Sequence, residues 1–359
     1  MTLRVVHLAS GREWRGGERQ VWLLARALRR TGAVRQRAIT RAGSELERRL
    51  RAEGIEVAGV RWEAGLDPRP LLHLCRRIGP DELIHAHDAH AVTLAGLAAL
   101  WTRARWVASR RVVFPLRRRG LWARADRIVA VSEATRRRLL ADGIAPDRVA
   151  VVHSAIPIDE VRAAAPLGVR ARLGLAPHRL LAANVAALTP EKGHDTLLAA
   201  AAILAPRAPE LHWALAGDGP GRPALEDEVL ARGLAGRVHL LGHLPDPGRL
   251  IADADLFVFP SRAEGLGTTI LEAMALGVPV VASAVGGIPE LLDGDAGVLV
   301  PPDDPDALAG AIAALLADPT RRRRVAEAGR ARALAFGDDR MAAATLSVYR
   351  SIVQGLDGA

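Results

Sequence analysis

Lysine, tyrosine and cysteine each occur once in 359 residues, and aromatic residues make up 3%. The single cysteine, Cys75, rules out an internal disulfide framework and points to a reducing compartment. The longest apolar run, Ala91–Trp101, is too short to cross a bilayer, which takes about 20 residues. The N-terminus, Met-Thr-Leu-Arg-Val-Val-His, starts directly as a strand and lacks the apolar stretch of a signal peptide. The expectation is a cytoplasmic protein whose membrane contact, if any, is peripheral and on the inner face. So few aromatics offer no platform for stacking bases, and no nucleic-acid motif occurs, so nucleic acid is not expected as a partner. No Gly-x-Gly-x-x-Gly follows the first strand, which disfavours a dinucleotide-dependent oxidoreductase.

Arginine and apolar bulk are what the chain has in quantity. Half of it is hydrophobic, enough for two cores, and the length suits two domains. Residues 1–165 carry 31 arginines against 17 acidic residues, a net +14; residues 166–359 carry 18 basic and 23 acidic residues, a net −5. A basic first half suits an anionic ligand or an anionic membrane surface, although solvated arginine-rich helix faces give the same balance. Strand-like runs alternate with helix-period segments: 4–9, 35–39, 56–60, 83–86, 105–108, 127–131 and 149–153, then 179–185, 211–216, 237–241, 256–259, 278–282 and 297–300. Such alternation means βαβ units and parallel sheets, with ligands at the carboxyl ends of the strands.

The most informative stretch follows the run Leu256-Phe-Val-Phe259. It reads Pro260-Ser-Arg-Ala-Glu264-Gly265-Leu266-Gly267-Thr268-Thr-Ile-Leu-Glu272-Ala-Met-Ala-Leu-Gly277. A strand, a glycine-containing turn and a helix start leave backbone N–H groups free to meet an anion. Glu272 stands among apolar neighbours, where a carboxylate needs a polar partner. Earlier, Asn184-Val-Ala-Ala187-Leu-Thr189-Pro-Glu-Lys192-Gly-His194 holds the sole lysine of a chain that otherwise uses arginine. That choice favours a specific point-charge contact. Gly217-Asp218-Gly-Pro follows another strand.

The Glu-x7-Glu spacing, followed by Ala-Met-Ala-Leu-Gly-Val-Pro-Val-Val-Ala, resembles the retaining nucleotide-sugar glycosyltransferases of family 4, and the likeness runs along nearly the whole chain. It implies the GT-B fold: two Rossmann-like parallel-sheet domains facing across a cleft. An acceptor-binding domain is expected over 1–165, a nucleotide-sugar-binding domain over 166–340, and a last helix over 341–359 that crosses back to the first domain.

By the same resemblance, Lys192 meets the donor diphosphate with N–H groups near Gly265, Leu266, Gly267 and Thr268, Glu264 holds sugar hydroxyls, and Glu272 accepts the ribose hydroxyls. Thr189, Gly217 and Asp218 line the nucleotide side, and Leu244 lies at the edge that meets the base. Relatives carry an arginine where Ala187 stands; Arg262 is a candidate to replace its charge. In the first half, Gly16 and Gly17 resemble the loop that nears the donor phosphates. His85-Ala-His87-Asp88-Ala-His90 resembles a cluster lining the cleft, with His87 or Asp88 on sugar hydroxyls, or Asp88 simply capping the next helix. His-x-His invites a metal reading, but no cysteine is near and no His-x3–5-His pair sits on a helix, so no metal is expected. Relatives often have a histidine where Ser109 or Arg110 stands, which makes Arg110 a candidate catalytic contact. Arg117, Arg118 and Arg119 beside Leu121 and Trp122 suit a lipid headgroup surface.

The expected activity is transfer of a sugar, with retention, from a UDP- or GDP-linked donor to a glycan or lipid-linked acceptor in cell-envelope polysaccharide or lipopolysaccharide synthesis, with no further cofactor. A sugar-nucleotide epimerase and a non-catalytic sugar-binding homologue are the alternatives. A phosphorylase is disfavoured, because it needs a pyridoxal-bearing lysine and the chain has none beyond Lys192.

Overall fold

Every strand anticipated from the apolar runs forms, and all pair in parallel. The structure is a computed structural model that describes residues 2–63, 67–79, 81–116 and 119–354. It divides into two units, one of residues 1–155 with 337–359 and one of residues 156–336.

The first unit has seven strands: β1 (Leu3–Ala9), β2 (Val34–Arg41), β3 (Glu56–Val60), β4 (Glu82–Ala86), β5 (Trp106–Arg110), β6 (Arg127–Ala130) and β7 (Val149–Val151). Their order is β3-β2-β1-β4-β5-β6-β7. The order reverses direction between β1 and β4, which makes that junction the topological switch point, the usual place for a ligand in a doubly wound sheet. Side chains alternate across the sheet. Val6, Leu8, Ile84, Ala86, Trp106 and Ala108 build one core. Val5, Leu83, Val107 and Val129 face the other way, under the first helix (Gly16–Thr31) and the last helix (Asp338–Gln354), where Leu24, Leu28, Leu346 and Tyr349 complete a second core. The last helix is pinned to the first by Asp338, which receives Arg26 at 3.4 Å and Arg30 at 3.0 Å.

The second unit has six strands: β8 (Leu180–Val185), β9 (Leu211–Ala216), β10 (Val238–Gly242), β11 (Leu256–Phe259), β12 (Val280–Ser283) and β13 (Val298–Val300), in the order β10-β9-β8-β11-β12-β13. Its switch point lies between β8 and β11. The helices His194–Leu204 and Pro305–Ala317 cover one face through Leu197, Leu198, Leu308 and Ile312. β12 starts two residues later than its apolar run, because Gly277 closes the preceding helix in a left-handed conformation (φ 73°) and Pro279 follows it.

Candidate functional site

In the second unit, four loops meet at the carboxyl edge of the sheet, and glycines let them meet. A Cβ on Gly217 after β9 would come within 1.8 Å of the Ala186 carbonyl oxygen after β8. One on Gly193 would lie 2.1 Å from the Pro260 oxygen, and one on Gly286, 1.7 Å from the Glu264 oxygen. These contacts join the ends of β8, β9, β11 and β12 with no room for a side chain. Beneath them, Asn184 donates to the Val258 carbonyl at 2.8 Å. Its carbonyl accepts from His194 Nε2 at 3.1 Å. Burial pulls His194 down to about 4, so this ring is neutral.

On this base, Lys192 Nζ donates to Glu264 Oε2 at 2.6 Å, across the β8–β11 switch point. Both side chains are mostly buried, at 19% and 17% exposure, and the ammonium lies 5.5 Å from the centre of the Phe259 ring. The helix Thr268–Leu276 opens on Gly267 (φ 96°), which has no side chain to cap the first turn; the Ile270 amide turns back to the Gly267 carbonyl at 3.0 Å. Glu272 sits on that helix, 1% exposed. A lysine, a carboxylate and an uncapped helix start therefore converge at one edge, an arrangement suited to a phosphate with a hydroxylated group beside it.

In the first unit, the face under the first and last helices turns from apolar to polar towards the carboxyl edge. His7 on β1 and His85 on β4 pair in register. His7 Nδ1 lies 2.9 Å from His87 Nε2, and His85 reaches Tyr349 OH at 2.6 Å and Ser109 Oγ at 2.8 Å. Burial holds His7 at about 4 and His85 and His87 well below the usual imidazole range, so all three are neutral. Arg111 donates to the His87 carbonyl at 2.6 Å. Asp88 accepts four bonds, from the Ser10 amide and hydroxyl and the His90 and Ala91 amides. Glu18, whose pKa burial raises, accepts from the Arg15 amide at 3.2 Å.

Both halves match family models. Residues 169–332 match the one described as Glycosyl transferases group 1, and residues 14–160 match Glycosyltransferase Family 4. The second half of the chain is thus similar to the group 1 glycosyltransferases and the first half to the family 4 glycosyltransferases. It is 40% identical over 161 residues to the alpha-D-kanosaminyltransferase of Streptomyces kanamyceticus, covering 44% of this chain and 42% of that one. It is 35% identical over 241 residues to a D-inositol 3-phosphate glycosyltransferase of Streptomyces scabiei, covering 63% and 54%. The chain thus spans about half the length of these curated relatives. Anabaena Alr3699/HepE, solved in complex with UDP, superposes with a TM-score of 0.86 at 22% identity, covering 97% of this chain and all of that one; this likeness establishes the GT-B type of fold.

In the second unit, Lys192, Glu264, Gly265, Leu266, Gly267, Thr268 and Glu272 come together, with Thr189 one short turn before Lys192. Gly217 and Asp218 join them through the β8–β9 contact, where Asp218 O accepts from the Leu188 amide at 3.0 Å. Leu244 lies half-buried just after β10, beyond β9. Gly16 and Gly17 open the first helix, with open space where a Cβ would stand.

Several placements differ from the expectations. Arg262 is not free to replace the charge missing at Ala187: it donates to Asp303 at 2.5 Å, Asp195 at 2.6 Å and the Pro190 carbonyl at 2.7 Å. Of the two roles offered for Asp88, the structure bears out the helix cap; it also fixes the β1 loop, so both its oxygens are occupied. Arg110 points away from His87, because neighbouring residues of a strand face opposite sides. It stands over the Trp122 ring at 5.4 Å and donates to the Phe114 carbonyl, and Arg111 takes the place beside His87. Trp122 is a core residue at 5% exposure, not a surface aromatic, because it packs in the apolar cluster of Trp106 and Leu139. Arg119 is exposed and donates to the Gly143 carbonyl at 2.9 Å; Arg117 and Arg118 lie outside the described residues. Sequence reasoning missed His7, Gln36, Asn184, His194 and Tyr349. A polar residue at an inward position of a strand was the available signal at His7 and Asn184, but only strand register shows which partner it meets.

Proposed function

We propose that the protein transfers a sugar from a nucleotide-diphosphate sugar, UDP- or GDP-linked, to a glycan or lipid-linked acceptor, with retention. The donor belongs to the second unit and the acceptor to the first. The observation that carries this reading is the Lys192–Glu264 pair, 2.6 Å apart at the switch point beside the uncapped start of the Thr268–Leu276 helix. The diphosphate replaces Glu264 as the partner of the ammonium, and the helix N–H groups share its charge. Glu264, so released, takes sugar hydroxyls, and the Glu272 carboxylate takes the ribose. In the transfer, the acceptor oxygen bonds to the anomeric carbon, the bond to the diphosphate breaks, and the acceptor proton passes to the departing phosphate oxygen. The charge that develops is met by Lys192 and the helix start, so the reaction as written needs no metal. The UDP bound by the Anabaena protein and the glycosyltransferase names of the curated relatives support the reading.

The destination we propose is cell-envelope polysaccharide or lipopolysaccharide, with the protein in the cytoplasm and peripheral at the inner membrane face. The basic first half and the exposed Leu100, Trp101 and Phe114 support contact with an anionic lipid surface. Among the described residues no helix is long and apolar enough to cross a membrane.

The test is a thermal-shift screen of UDP- and GDP-sugars followed by a transfer assay. A rise in Tm with one donor class and its loss in Lys192→Ala supports the proposal; no shift with any donor overturns it. A second reading, a sugar-binding homologue without turnover, is favoured by one observation: Ala187 is exposed and Arg262 is committed elsewhere. Donor binding without transfer or hydrolysis in the wild type, restored to turnover by Ala187→Arg, selects it.

A further inference from the structure

We propose that Gln36, His7 and His87 are positioning residues: a one-way hydrogen-bond chain through them fixes the guanidinium of Arg111 as the donor that meets an oxygen of the acceptor. This rests on the reading that the first unit receives the acceptor.

The direction of the chain is forced from both ends. Gln36 Nε2 donates to the Ala25 carbonyl at 2.6 Å, which turns Gln36 Oε1 to His7 Nε2 at 3.0 Å. An amide oxygen only accepts, so His7 Nε2 carries the proton. Buried and neutral, His7 has a lone pair on Nδ1, and the 2.9 Å contact there requires His87 Nε2 to donate. Neutral His87 in turn keeps a lone pair on Nδ1, which lies 3.2 Å from Arg111 Nη2. A guanidinium only donates. Starting at the arginine gives the same tautomers as starting at the glutamine. A proton added to either ring would set two donors against each other.

The chain runs from Gln36 within β2 and His7 within β1 to His87 and Arg111, the residues that directly follow β4 and β5, across the four adjacent strands at the switch point. It ends on the first helix, through Ala25. Two contacts to His87, one from each terminal nitrogen, hold the guanidinium at two points. Arg111 also lines a cavity of about 20 Å³ with Ser109, His85 and Ser154, room for one water.

The three histidines place one ring nitrogen each within 4.8 Å of one another, which raises a metal site as a rival. Zinc needs three lone pairs about 2.0–2.1 Å from the ion. Here His87 Nε2 spends its position on the proton shared with His7, and the Arg111 cation stands next to the cluster.

Long-range proton–nitrogen NMR of the full chain at pH 7 tests the chain directly. Both His7 and His87 are expected as neutral Nε2–H tautomers. An imidazolium or an Nδ1–H tautomer at either position overturns the proposal, and so does a stoichiometric shift of both rings on adding zinc chloride. Kinetics test the role. His7→Phe, one residue removed from the arginine's own contact, is expected to raise the acceptor KM about 10-fold, the effect of one mispositioned hydrogen bond, with donor KM and donor hydrolysis unchanged. His7→Asn, whose amide oxygen takes the place of Nδ1, restores most of the loss. An unchanged acceptor KM, or equal losses in donor and acceptor parameters, overturns the positioning role. If the wild type binds no nucleotide sugar, the functional reading fails and the acceptor role falls with it, while the tautomers still decide the chain.

Discussion

At the scale of single residues, the candidate donor site holds its charges in reserve. Lys192 and Glu264 satisfy each other at 2.6 Å. Removing the cation leaves the departing diphosphate one charge contact short, so Lys192→Ala is expected to lower kcat by about 10²-fold or more, read in a transfer assay at saturating donor. Glu272 is 1% exposed on the helix Thr268–Leu276. Glu272→Ala is expected to weaken UDP or GDP binding about 10-fold or more by titration calorimetry, the effect of losing hydrogen bonds to a charged acceptor. Gly286 has φ 54° and no space for a Cβ, which would lie 1.7 Å from the Glu264 oxygen. Gly286→Ala therefore moves the Glu264 loop. A loss of about 1–3 kcal/mol in denaturant unfolding is expected, together with weaker donor binding.

At the scale of elements, the last helix is part of the first unit's core. Tyr349 is fully buried against Leu24, Leu28 and Val107 in one apolar cluster, and its hydroxyl meets His85 at 2.6 Å. Tyr349→Phe keeps the packing and leaves His85 Nδ1 without that partner. The expected cost is about 1 kcal/mol, a Tm lower by a few degrees, with donor binding by the second unit unchanged. An altered donor affinity would contradict the assignment of the two roles to separate units.

At the scale of the whole molecule, each unit carries a neutral histidine at its switch point. His7 and His194 have folded pKa values of about 4 against 6.5 for a free imidazole. A histidine with a depressed folded value binds its proton more readily when unfolded. Its contribution to stability is therefore complete above pH 6.5 and is lost as the pH falls from 6.5 towards 4. The slope approaches about 1.4 kcal/mol per pH unit for each such group. Thermal unfolding between pH 7.5 and 4.5 is expected to show a falling Tm, with a shallower fall in His194→Gln, which keeps an N–H for Asn184.

Much of this was legible in the chain itself. The alternation of apolar runs with helix-period segments determined a parallel α/β fold in two parts, because a strand buried on both faces must be apolar throughout. Glu264 and Glu272 stood out as candidates from a strand, a glycine turn and a helix start, and Lys192 as the sole lysine; the structure brings Lys192 to Glu264 from a loop 72 residues away. Tertiary structure alone decided the rest. The sequence could not tell which side Arg110 faces, because a one-residue step in a strand reverses it, nor that Trp122, at the end of the short helix Arg119–Trp122, packs into the core beside Trp106. It could not show Arg262 committed to Asp195 and Asp303, since ion pairs across 67 and 41 residues follow from loop packing. Nor could it join Gln36, His7, His87 and Arg111: only the strand order β2-β1-β4-β5 sets side by side residues that lie far apart along the chain, and burial first, then neighbouring positive charge at His87, lowers the pKa of their rings.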